Sequence, residues 1–239
     1  MADPSNMKKE KEIHLKGQSR VQKICHWCAK AQEPGKPPFQ ACAKCKESRE
    51  CQVKSWPLHK GICKTTADSR KKMDDAGKTQ QVAAFKKWHG SHVVLLRQAI
   101  ICALDLAHHP DNADKTVIFL SVELKEGHAR LSSEKKYYAV GGFDMTRDEA
   151  TSMLSTAGGA AILESNWKSH EHMKKKGGLG VSPVILKTGD VVDIVNITLP
   201  SHAGAKAAVA SKDMDWGEEW VNGFNIALEL GYVTGKAGE

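Results

Sequence analysis

The sequence predicts a small cross-braced metal module, a zinc finger, followed by an α+β domain. Three observations carry that prediction. Six of the seven cysteines, with a histidine among them, fall between Cys25 and Cys63. From about residue 80 onward, apolar residues recur at helical spacing in some stretches, while others are short runs rich in β-branched residues. These helices and strands do not alternate as regular βαβ units, which favours α+β over a parallel α/β sheet.

Taken in order, residues 1–22 are polar and charged and read as a disordered basic N-terminus. They have lysines but no apolar stretch behind them, so they are not a secretory signal. Residues 23–66 form the metal module. Residues 67–79 (DSRKKMDDAGKTQ) have no apolar periodicity and read as a linker or the start of a helix. Residues 80–239 form the α+β domain of unknown function. Its first helical stretch carries Val82, Phe85, Trp88, Val93, Leu96, Ile100 and Leu104 at helical spacing, with a break expected at Gly90-Ser91 and Ser91 as the second N-cap.

Strands are expected over Thr116–Leu124 and Tyr137–Val140. Thr146-x-x-Glu149 has the pattern of a capping box. A helix over about 160–176 should stop at Gly177-Gly178. Val184–Leu186 and Val191–Leu199, on either side of Thr188-Gly189-Asp190, read as a hairpin. Trp216–Leu230 closes the chain as an amphipathic helix ended by Gly231.

The chain has 239 residues and a formal net charge of +7, unevenly spread. Residues 1–72 hold 17 Lys and Arg against 7 Asp and Glu, whereas the remainder holds 18 against 21. A basic module on a mildly acidic body suits an acidic protein partner or nucleic acid. No run of eighteen apolar residues exists to span a membrane. Cysteines paired at x2 spacing in a chain without a secretory signal read as metal ligands, which places the protein inside the cell, in nucleus or cytoplasm.

The spacing within the module is Cys25-x2-Cys28, then Cys42-x2-Cys45, then Cys51-x7-His59-x3-Cys63. Thiolates and an imidazole so arranged are what tetrahedral Zn²⁺ selects, and two knuckles with a Cys/His helix can interleave two ions. The segment lacks the apolar content to fold by burial alone, so metal would supply its stability.

Cys51, Gln52, Trp56, His59, Lys60 and Cys63 match, position for position, the last block of the MYND-type zinc finger, and the module resembles that family over about 40 residues. The resemblance implies that one Zn²⁺ takes Cys42, Cys45, His59 and Cys63. It also implies a protein partner: the residues matching Gln52 and Trp56 help dock short proline-containing peptides alongside a strand of the finger.

The first site departs from the family pattern. Cys25, Cys28 and Cys51 supply three thiolates where the family has four, as if four residues including one ligand had been deleted. Three readings stand: zinc completed by a water or carboxylate such as Glu47, a weak or empty site, or completion by another residue.

MYND fingers also accompany SET-type lysine methyltransferases, but that domain's Gly-x-Gly strand, Asn-His motif and late aromatic segment do not occur in order in residues 80–239. Cys102, in the apolar IICALDL, reads as a buried structural thiol. His108-His109 and His170-x-His172 read as solvent-exposed histidines, since i, i+2 residues do not face each other on a helix. Gly177-Gly178-x-Gly180 neither follows a strand nor opens a helix and is not a phosphate loop. The expected function is therefore zinc-dependent protein interaction without catalysis. Nucleic-acid binding by the basic front segment is the alternative, with an unrecognised enzyme in residues 80–239 behind it.

Overall fold

The computed structural model describes residues 14–20 and 52–231, with side chains described from Cys63 onward. Residues 79–231 form an α+β domain around a mixed sheet. Its strands are β2 (Thr116–Leu124), β3 (Tyr137–Thr146), β4 (Val181–Thr188) and β5 (Val191–Thr198). A further strand, β1 (His14–Arg20), runs parallel to β5 and gives the order β1-β5-β4-β2-β3. It falls inside the stretch that composition alone reads as disordered. An edge strand is stabilised by its ladder as well as by its own apolar content, and a polar sequence conceals that.

The sheet exists because β2, β4 and β5 are apolar on both faces. Ile118, Leu120, Val184, Leu186, Val191 and Val195 face one side, where α2 (Thr79–Ser91), α3 (Val93–Ala103) and α8 (Trp220–Glu229) cover them. Val117, Ile185, Val192 and Ile194 face the other, under α5 (Arg147–Ser155) and α6 (Ala160–Lys174). Each strand thus serves two cores with alternate residues. At about 25 cal/mol per Å² of buried apolar surface, such side chains contribute roughly 1.5–3 kcal/mol each against chain entropy.

The hairpin at Thr188-Gly189-Asp190 is present, with Gly189 at φ +58 and β4 antiparallel to β5. Pro183 sits in β4 opposite Asn196, one residue before the parallel pairing with β2 begins at Ile118 and Val184. Its missing N–H therefore costs no ladder bond on the β2 side. At the far edge, Asn225 of α8 donates to the Ala139 carbonyl at 2.9 Å and accepts its amide at 2.8 Å. The side-chain amide takes the place of a neighbouring strand's peptide there.

α1 (Gln52–Asp75) is a single helix of 24 residues, about 36 Å long at 1.5 Å per residue. It overruns most of the expected linker, and only Ala76–Lys78 separate it from α2. Cys63, Thr66, Ser69 and Met73 form its buried stripe, at 4%, 3%, 6% and 2% exposure, and Met73 belongs to the main core. α1 packs against β1 and α6. The break between α2 and α3 falls at His92 rather than at Ser91, whose hydroxyl instead donates back to the Lys87 carbonyl. Among the described residues no helix is long and apolar enough to cross a membrane.

Candidate functional site

Cys25, Cys28, Cys42, Cys45 and Cys51 lie outside the described residues. Gln52, Trp56 and His59 are described only as positions on the backbone of α1. Helix geometry sets positions 59 and 63 one turn apart on one face, as a His-x3-Cys ligand pair requires. Positions 63, 66, 69 and 73, continuing along the helix at helical spacing, are the buried ones.

Where side chains are described, two of the buried polar contacts are made by β5. Asp193 interrupts an apolar strand, and its Oδ2 lies 2.9 Å from Nε2 of His89 on α2, both side chains being fully buried. His89 sits one turn after Phe85 and meets its ring edge-on at 5.5 Å. On the opposite face of β5, Asn196 donates to the Asn166 side chain of α6 at 2.7 Å. With both side chains fully out of contact with solvent, the His89–Asp193 pair acts as a tie between α2 and the sheet.

His170 corrects the expectation of solvent exposure. It is fully buried, on the same α6 stripe as Asn166 and Met173. Its Nε2 is 2.8 Å from Oδ1 of Asp114, and its Nδ1 is 3.0 Å from the Val181 carbonyl and 3.3 Å from the Val181 amide. With Nε2–H donating to Asp114, Nδ1 accepts the amide in the neutral ring and donates to the carbonyl in the imidazolium. Gly180, at φ +96, makes room: a Cβ there would lie 2.4 Å from Nδ1. The i, i+2 rule separates His170 from His172 correctly. His172 is half-buried, and what buries His170 fully is its place in the stripe Ile162, Asn166, His170, Met173, which was legible in the helical spacing. His108 and His109 are exposed, as expected.

Asp114, His170 and Glu171 bring three potential ligand atoms within 4.8 Å of one another. Lys174 nevertheless donates to both carboxylate oxygens of Asp114, at 2.8 and 2.7 Å. Burial alone would push the Asp114 carboxyl up, but the bonds from Lys174 and His170 outweigh it and hold it below the ordinary range. An ammonium already sits where a cation would bind, so the cluster reads as an ion-pair network joining α4 (Asn112–Lys115) to α6.

Cys102 is buried, and its thiol is pushed up chiefly by that burial, against bonds from the Trp216 amide and Gln98. That is the setting of a structural thiol, since an activated nucleophile needs the opposite shift. Compared with known proteins, the chain matches no family model, no curated protein and no solved structure.

Proposed function

We propose that this chain is a zinc-binding interaction protein, its residues 23–66 folding around metal as a MYND-type finger that recruits partner proteins. The reading is carried by the spacing Cys42-x2-Cys45, Cys51-x7-His59-x3-Cys63. The backbone of α1 supports it by running as helix through positions 59 and 63. In this proposal Cys42, Cys45, His59 and Cys63 hold one Zn²⁺, and Cys25, Cys28 and Cys51 contribute to a second site. Gln52 and Trp56 would contact a short proline-containing peptide. No catalytic step is part of it.

Zinc quantification on the purified full chain tests the first half: at least one tightly bound equivalent is expected, and chelation should unfold the module. Less than about one equivalent, with no change on chelation, sinks the proposal. For the second half, a labelled Pro-x-Leu-x-Pro peptide should bind, and Trp56→Ala should abolish that binding while Lys-to-Gln changes in residues 1–72 leave it intact. Failure of such peptides, with duplex DNA bound in a steeply salt-dependent manner, would favour the basic segment as a nucleic-acid contact instead.

A further inference from the structure

The loop after α7 (His202–Ala208) and helix α8 enclose an open groove of about 520 Å³. Its floor is built around Trp216. The Trp216 indole packs against Gly223 of α8, where a Cβ would come within 2.2 Å of the ring. Glycine inside a helix costs about 1 kcal/mol relative to alanine, and here it admits the indole. The loop wall is pinned from behind: Gln98 donates to the carbonyls of Ala208 and Met214, at 3.2 and 2.6 Å, and the Cys102 thiol meets Met214 at 3.4 Å. The groove is therefore preformed, and a ligand need not order it.

Two features of its surface are otherwise unaccounted for. Ile226 and Leu230 stand 52% and 68% exposed along one wall. Asp213, Asp215 and Glu219 crowd the rim, with Lys212 the sole cation lining it. Among the described residues none of these three carboxylates forms an ion pair, whereas Asp105, Asp114, Asp190, Asp193 and Glu164 all do. An apolar wall beneath uncompensated negative charge is complementary to an apolar side chain flanked by cations.

We infer that this groove is a second docking site, which takes a Lys/Arg-rich peptide segment of a partner protein through one or two large apolar anchors. None of its lining residues belongs to 23–66, and the inference does not depend on the function proposed for that segment. The anchor side chain would lie over Trp216 between Ile226 and Leu230, and the flanking cations would meet the acidic rim. Nucleic acid is disfavoured here by the sign of the charge.

The probe is a fluorescein-labelled ten-residue peptide of Lys and Arg with two central leucines, read by anisotropy against the full chain at about 0.1 M salt. A control peptide carries glycines in place of the leucines. Losing the apolar anchor should weaken binding about tenfold or more, as expected for one buried leucine. Asp213→Lys with Asp215→Lys and Glu219→Lys should together cost at least about tenfold, each exposed pair contributing up to roughly fivefold. Leu230→Ser should cost about three- to fivefold. All are exposed positions, so unchanged thermal midpoints certify folding. Binding should persist in Trp56→Ala, which separates this site from the finger. Equal affinity for the leucine and glycine peptides, or unaltered affinity in the rim and Leu230 variants, would overturn the inference. A dimer that dissociates in those same variants would overturn it too, by making a second copy the occupant. So would a tenfold gain in affinity on deleting residues 232–239, by assigning the groove to the chain's own terminus.

Discussion

Residues 79–231 close around their own side chains, whereas residues 23–66 have little to close around. In β4 and β5 alone, Val181, Val184, Ile185, Leu186, Val191, Ile194, Val195 and Ile197 are fully buried. The whole of 23–66 offers Ile24, Trp27, Phe39, Val53, Trp56, Leu58 and Ile62 as large apolar residues beside its six cysteines. A segment so poor in burial needs a different source of free energy, and a thiolate-bound zinc supplies about 10–16 kcal/mol in finger peptides. Helix α1 crosses from one chemistry to the other, beginning among the expected ligands and ending with Met73 in the apolar core.

The largest effect expected from this difference is on metal. Cys42→Ser and His59→Ala should each release about one equivalent of zinc and expose residues 23–66 to limited proteolysis. The unfolding free energy of the α+β domain should change by less than about 1 kcal/mol. Should the domain lose several kcal/mol with the metal, α1 couples the two regions into one cooperative unit and the contrast fails. The converse variant lies in the core. Asp193→Ala leaves His89 buried without its carboxylate, and removing one partner of a buried pair costs about 3–5 kcal/mol. Urea unfolding should show that loss with the zinc content unchanged. Replacing both partners with apolar residues, His89→Leu with Asp193→Val, should recover most of it, because desolvating the pair costs nearly what its attraction returns.

The same contrast explains what the sequence made legible. Periodicity and cap chemistry are local, so β2 came out as Thr116–Leu124, the hairpin at Gly189 was found, and the capping box at Thr146 was found. Long-range partnerships are not local. Nothing near Asp193 in sequence announces His89, 104 residues away. The charge within Val-Val-Asp-Ile-Val was the available signal. The last part of α1, residues 67–75, was read as a linker or the start of a helix because its buried positions there are only Ser69 and Met73, too few to carry an apolar period. Of the proposed zinc ligands, positions 59 and 63 are the ones that fall on described backbone, one turn apart on α1. The groove at Trp216 was not legible, because it depends on a loop held by Gln98 and Cys102 from a distant helix.

Acid should part the two regions by different groups. In the module, protonation of thiolates and of His59 would release zinc. In the domain, burial is the main cause that lowers the His92 pKa below 6.5, opposed by the bond to the Trp88 carbonyl and by Glu134. Below 6.5, and down to that lowered value, the unfolded chain holds a proton that the folded one refuses. Stability is therefore complete above 6.5 and is lost as pH falls through that window. Domain unfolding monitored in zinc-saturated and zinc-free protein should show the same slope between pH 7.5 and 5.5, and His92→Gln should flatten it. A slope that vanishes on removing zinc would assign the acid sensitivity to the metal module alone.

The smallest effect probes a purely local device. Thr146 accepts the Glu149 amide at 3.2 Å, while Glu149 accepts the Thr146 amide at 2.7 Å, satisfying the N-cap and N3 amides at the start of α5. Thr146→Ala should cost about 1 kcal/mol in urea unfolding, and Thr146→Ser should keep most of that, since the hydroxyl is what the helix end requires. Because α5 packs on β2, β3 and α6, the loss should appear in the single transition of the domain. The zinc content should not change. If Thr146→Ala instead altered metal retention, the two regions would be exchanging free energy across the sheet, and the separation drawn from their composition would have to be abandoned.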